Sequence, residues 1–96
     1  QTAESTAKLD YKEQKRIESE LRKLKNSVAR TENLISETEG KISELENLLL
    51  LPENATDFEK SMKISGEIEE ERKKLDEFYK EWETSSEKLS EMTKVL

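Results

Sequence analysis

The sequence contains no histidine and no cysteine, a single proline, two glycines and only five aromatic residues. Without histidine or cysteine there is no imidazole for proton transfer near neutral pH, no thiol nucleophile, no disulfide and none of the usual zinc ligands. The chain by itself is therefore expected to be non-catalytic and to hold no cofactor. No long apolar run marks a membrane span, and no charged leader with an apolar core marks a signal peptide. The expectation is a soluble, cytoplasmic segment with no membrane partner. With 31% hydrophobic and 42% charged residues in a chain of 96, neither a second domain nor a core of ordinary thickness can be built. One seam between two helices is about what it can bury.

What is present is a heptad pattern. Ile17, Leu21, Leu24, Val28, Thr31, Ile35, Thr38, Ile42, Leu45 and Leu49 follow one another at alternating spacings of four and three, which lays one stripe along a helix. After Pro52 the alternation returns in Ile64, Ile68, Glu71, Leu75, Phe78, Trp82, Ser85, Leu89, Met92 and Leu96. An apolar stripe gains stability only against a matching one, and this chain supplies both. The predicted fold is all-α, an antiparallel two-helix coiled-coil hairpin, monomeric because the two seams satisfy each other.

Boundaries follow from local chemistry. Residues 1–9 are small and polar without periodicity and read as a disordered linker tail. Asp10 with Glu13 resembles a capping box that opens a helix over 10–51. Pro52 disfavours helical geometry at Leu51, which predicts a turn over 52–56. Thr56 with Glu59 forms a second capping box for a helix over 57–95. Folding about that turn opposes Ile42 to Ile64, Leu24 to Trp82 and Leu21 to Ser85. Flanking opposite charges, Glu20 with Lys88, Glu32 with Arg72 and Lys41 with Glu67, agree with this alignment.

Some seam and turn residues invite a functional reading beside a plain one. Thr31, Thr38 and Glu71 interrupt the apolar seam, and Glu71 is expected to reach past Ile35 into water rather than act as a functional carboxylate. Leu48, Leu49, Leu50 and Leu51 lie beside the turn with Phe58 and Met62. They are expected to close a hydrophobic cap, the alternative being a contact tip. Tyr11, Phe78, Tyr79 and Trp82 are expected together at the opposite end of the rod. Phe78 and Trp82 are seam positions, which leaves Tyr11 and Tyr79 to meet a partner.

The net charge of -6 speaks against tight nucleic-acid binding, but its distribution is uneven. Residues 8–30 hold eight basic side chains against four acidic ones, whereas residues 31–96 hold nine against eighteen. In the basic segment Lys12, Lys15, Arg16, Arg22, Lys23 and Arg30 fall on outward positions of the first helix. A solvated charged face is the ordinary role of such a stripe, and phosphate binding is the functional one.

Two strings carry a resemblance: Leu9-Asp10-Tyr11-Lys12-Glu13-Gln14-Lys15-Arg16 and Phe78-Tyr79-Lys80-Glu81-Trp82-Glu83. With the proline-containing turn between them, they resemble the C-terminal coiled coil of the ABC-F ATP-binding cassette proteins, the Uup-like group, over about Leu9 to Leu89. The resemblance implies a non-catalytic appendage that follows two ATPase domains of the same chain, where ATP would bind. It also implies a nucleic-acid setting, with DNA binding attributed to the coiled coil and the ribosome and translation to the parent proteins. The family's basic start falls here on Lys12, Lys15 and Arg16, while the acidic remainder departs from the family's pattern. The expected function is contact with DNA or ribosomal RNA through the stripe. The alternative is a structural spacer or protein-docking hairpin that binds no nucleic acid.

Overall fold

The computed structural model describes the backbone of residues 2–95 and the side chains of residues 10–94. The described chain is all-α, with α1 (Thr2–Leu50), α2 (Pro52–Ala55) and α3 (Phe58–Val95) and no strand among the described residues. Gln1 of the expected tail and Leu96 of the expected seam lie outside the described residues. The helix expected from Asp10 starts at Thr2 instead, because Ala3, Ala7 and Lys8 are good helix formers and nothing before Asp10 breaks a helix. Asp10 is thus interior to α1 and caps nothing, and Glu13 pairs with Arg16.

The turn is more structured than an open loop. Leu51 adopts φ -64 and ψ 134, the extended geometry that a following proline imposes. Pro52 then starts a one-turn helix at no cost in hydrogen bonds, since the first turn has no acceptor for its missing N–H. The Asn54 side-chain amide donates to the Leu48 carbonyl at 2.7 Å and so closes the end of α1. Ser61 Oγ donates to the Asn54 carbonyl at 2.7 Å, tying α3 to α2. The expected Thr56 cap does not form, because the Thr56 hydroxyl donates to the Pro52 carbonyl at 2.6 Å. Asp57 caps α3 in its place, with Oδ1 accepting from the Lys60 N–H at 3.2 Å.

Contacts between the long helices run in reverse order: residue numbers rise along α1 as they fall along α3. Ser27 and Ser85 hydroxyls lie 3.0 Å apart, Trp82 Nε1 donates to Glu32 at 3.1 Å, and Tyr79 Oη donates to Glu39 at 3.3 Å. Arg30 meets Glu81 at 3.6 Å, and Arg72 meets Glu46 at 3.7 Å. These pairs correct the expected alignment by about one heptad. Trp82 reaches Glu32 rather than facing Leu24, Ser85 reaches Ser27 rather than Leu21, and Arg72 joins Glu46 rather than Glu32. Of the other flanking pairs, Glu20 and Lys88 share one groove and Lys41 and Glu67 another.

The cause is the turn. α2 and Asp57 carry the chain past the end of α1 before α3 doubles back, so α3 begins beyond that end, and α1 in turn extends past the far end of α3. Residues 10–16 of α1 are accordingly all exposed. The result is a rod with extents of 81 × 18 × 14 Å.

Every described seam position is buried or half-buried, from Ile17 to Leu49 on α1 and from Ile64 to Met92 on α3. Ile35, Ile42 and Ile68 are the buried apolar residues at its middle, each worth roughly 1.5–3 kcal/mol when fully covered. Thr31 is fully buried beside them. Its hydroxyl donates back to the carbonyls of Ser27 at 2.9 Å and Val28 at 3.0 Å, and that of Thr38 donates to Leu34 at 2.7 Å. Satisfied within their own helix, both threonines can be buried without an orphaned donor. Glu71 departs from expectation, since its side chain is only 14% exposed and its Oε1 lies 3.3 Å from Lys74 Nζ. The heptad shift moves it away from Ile35 into the groove with Lys41, Leu45 and Leu48.

Gly40 and Gly66 are exposed, neither has a positive φ, and a Cβ at either would meet nothing within 4 Å. Each therefore weakens its helix with no packing reason. Gly40→Ala and Gly66→Ala should each raise the unfolding free energy by about 0.5–1 kcal/mol, read as a higher urea midpoint at unchanged slope. A lower midpoint in either variant would contradict the exposed placement.

Candidate nucleic-acid interface

The candidate interface is built on α1. Because a heptad commits two positions in seven to the seam, side chains at the remaining positions point outward. Lys12, Lys15, Arg16, Arg22, Lys23 and Arg30 are all exposed. From Lys12 to Arg30 the helix climbs roughly 27 Å at about 1.5 Å per residue, a span of about eight phosphate steps along one DNA strand.

The six do not form one uniform surface. Lys12, Lys15 and Arg16 stand on the part of α1 that extends beyond α3, whereas Arg22, Lys23 and Arg30 flank the seam. Arg16 is engaged by Glu13, whose hydrogen bond and negative charge hold the guanidinium still more firmly protonated. Arg30 is partly neutralised by Glu81 of α3 at 3.6 Å. Lys15 Nζ sits 5.7 Å from the centre of the Tyr11 ring, within the range of a weak cation–π contact. Lys12, Arg22 and Lys23 make no ion pair among the described residues.

α3 adds charges beside the stripe. Lys80 shares a groove with Arg30, Ser27 and Ser85, and Lys88 shares one with Lys23 and Leu24. The same grooves also contain Glu81, and Glu20 with Glu91.

The aromatic cluster expected at the basic end does not assemble. The heptad shift carries Phe78, Tyr79 and Trp82 toward the middle of the rod, where Phe78 and Trp82 are half-buried in the seam. Trp82 is further held by Glu32. Tyr79 is bound to Glu39, and its hydroxyl is pushed above the usual tyrosine range by desolvation first, then by the Glu39 charge and hydrogen bond. Tyr79 is nevertheless partly exposed, and Tyr11 remains exposed beside Lys12 and Lys15.

Among the described residues no group of three or more His, Cys, Asp or Glu side chains could hold a metal ion, and no helix is long and apolar enough to cross a membrane. The grooves beside the seam are shallow and open, without a convergent set of catalytic groups. Residues 8–87 match a family model described as the ABC transporter C-terminal domain. No curated protein and no solved structure matches the chain.

The Tyr79–Glu39 bond can be read in solution. A group whose folded pKa is raised contributes stability below its unfolded pKa and loses it as pH rises through the folded value, so raising the pH through the Tyr79 step weakens this contact. Glu39→Gln should lower the midpoint of the Tyr79 phenolate absorbance step in a Tyr11→Phe background, where Tyr79 is the one tyrosine left. An unmoved midpoint would mean that the two side chains do not meet.

Proposed function

The chain belongs to the ABC transporter C-terminal domain family, and from that premise we propose that it is the accessory coiled coil of an ABC-F, Uup-like ATPase that contacts DNA or ribosomal RNA. In this reading the long helices form an antiparallel coiled-coil hairpin, and the ATP-binding domains lie upstream in the same protein. The domain itself is non-catalytic. It is a rod whose charged groups are held at fixed spacing, and its contribution to the parent protein is reach and contact.

The observation that carries the nucleic-acid reading is that Lys12, Arg22 and Lys23 are exposed and unpaired among the described residues, on the one segment where positive charge outnumbers negative. Phosphate oxygens are the partner such groups fit, since Lys and Arg can release condensed counterions without a shaped pocket. Arg30 and Arg16 should contribute less, because Glu81 and Glu13 already satisfy part of their charge. Tyr11 offers a ring beside the same lysines on which a single-stranded base could stack.

Titration of duplex DNA and of structured RNA at several salt concentrations tests this. If about four phosphates are engaged, log affinity for duplex DNA should fall against log salt with a slope of roughly -3 to -4, with little sequence preference. The triple variant Lys12→Glu/Arg22→Glu/Lys23→Glu should lose binding, while Arg30→Glu should lose clearly less. Helicity and melting should stay nearly unchanged in both, since these side chains hold nothing together. Absence of binding by the unmodified protein at low salt would favour the spacer or protein-docking role.

A further inference from the structure

One groove beside the seam is lined by polar side chains of both long helices, Ser27 and Arg30 of α1 with Lys80, Glu81, Thr84 and Ser85 of α3. Its floor is set by the sequence. Ser85 occupies a seam position, where a heptad asks for an apolar side chain, and Ser27 beside it is equally small. The two hydroxyls lie 3.0 Å apart and both residues are half-buried. Arg30 and Lys80 stand exposed at the rim. The space has a volume of about 380 Å³, many times the roughly 30 Å³ of a water molecule in the liquid, so a small solvated group enters without moving a side chain.

The donors left over in this groove fix the class of ligand. Whichever serine donates to the other, the accepting one keeps its own O–H proton, and neither hydroxyl makes a further bond among the described residues. The Thr84 hydroxyl donates to the Lys80 carbonyl at 3.0 Å, so the floor offers one serine proton. Lys80 makes no ion pair among the described residues. Arg30 faces Glu81 at 3.6 Å with both side chains more than half exposed, a pairing weak enough in water to leave the guanidinium open to a second anion. Two cations against one carboxylate leave one positive charge, which matches the single negative charge of a phosphodiester. Tetrahedral phosphate oxygens also point several ways at once, toward a hydroxyl below and toward a guanidinium and an ammonium at the rim. Two other grooves lack this combination. The one at Lys23 and Lys88 balances them with Glu20 and Glu91 over a floor of Leu24 and Met92, and the one at Lys41 holds four glutamates.

We propose that Arg30, Lys80 and the Ser27–Ser85 pair form a seat for one phosphate group, held between the two helices. For a phosphate of a nucleic-acid backbone this rests on the reading above, in which the stripe engages phosphates; a free phosphate ion presents the same oxygens. The seat makes α3 part of the interface. A phosphate bound there is held by side chains of both helices, so it favours the paired state over the unfolded one.

Two measurements test it. In titrations of duplex DNA at several salt concentrations, Lys80→Ala should weaken binding about fivefold and make the slope of log affinity against log salt shallower by about one, as loss of one phosphate contact requires. Ser85→Ala should weaken binding at unchanged slope, because a neutral hydroxyl releases no counterion, and should not lower the melting temperature, because a seam position gains an apolar side chain. In amide NMR spectra, inorganic phosphate replacing chloride at constant ionic strength should shift Ser27, Arg30 and Ser85, and the shifts should be lost in Lys80→Ala/Ser85→Ala. DNA binding that needs Lys12, Arg22 and Lys23 but keeps its full slope in Lys80→Ala would overturn the seat and leave the stripe standing. Phosphate-induced shifts in the groove without any DNA binding would overturn the stripe and support a seat for free phosphate. Phosphate that leaves Ser27 and Ser85 unmoved would overturn the seat whatever the DNA result.

Discussion

Each long helix of this protein has a single long neighbour, and that constraint governs the rest. A helix with one neighbour can bury one stripe, so the apolar content is confined to alternating positions four and three apart. Most other positions face water, which is why so polar a chain can still fold. The middle of the seam is completed by threonines whose hydroxyls bond to their own helix. The Ser27–Ser85 hydrogen bond links the two helices within the same layer. Outside the seam the side chains add little stability, and exposed ion pairs such as Arg72 with Glu46 contribute only about 0–1 kcal/mol. Those outward positions can vary in charge without loss of fold, and that freedom lets one segment be basic and the rest acidic.

The seam was legible in the sequence residue by residue, because burial of a heptad stripe depends only on spacing. Ile17 to Leu49 and Ile64 to Met92 all follow it. The register was not legible from that pattern, since sliding one helix by a heptad lays seam on seam again and leaves the apolar bookkeeping nearly unchanged. What distinguishes the two alignments is the turn. Reading Thr56 as the cap and Pro52 to Ala55 as a simple turn places the reversal too early. With Asn54 bonded to Leu48, and Asp57 rather than Thr56 capping α3, the chain overshoots α1 before it reverses. Outward exposure of the six basic residues follows from the heptad. The pairing of Arg30 with Glu81 follows from the register. The sequence therefore yields the exposure of the six basic side chains but not their electrostatic surroundings.

The same shift gives the rod two chemically unlike ends. At one, α1 extends past α3 and exposes Tyr11, Lys12 and Lys15, a surface suited to phosphate and base. At the other, α3 starts beyond α1 and leaves Leu50 and Phe58 in water. In this member of the ABC transporter C-terminal domain family, one rod holds the two ends apart at a fixed separation. Its reach is set by helix length and its orientation by the register.

The register can be measured directly, because a chain without cysteine accepts paired cysteines cleanly. Ser27 and Ser85 hydroxyls stand 3.0 Å apart, close enough for a disulfide after small side-chain adjustment. Oxidation of Ser27→Cys/Ser85→Cys should give a rapid intramolecular disulfide, while Leu21→Cys/Ser85→Cys, which tests the alignment one heptad away, should remain reduced. A rapid disulfide in the Leu21 pair and none in the Ser27 pair would contradict the account.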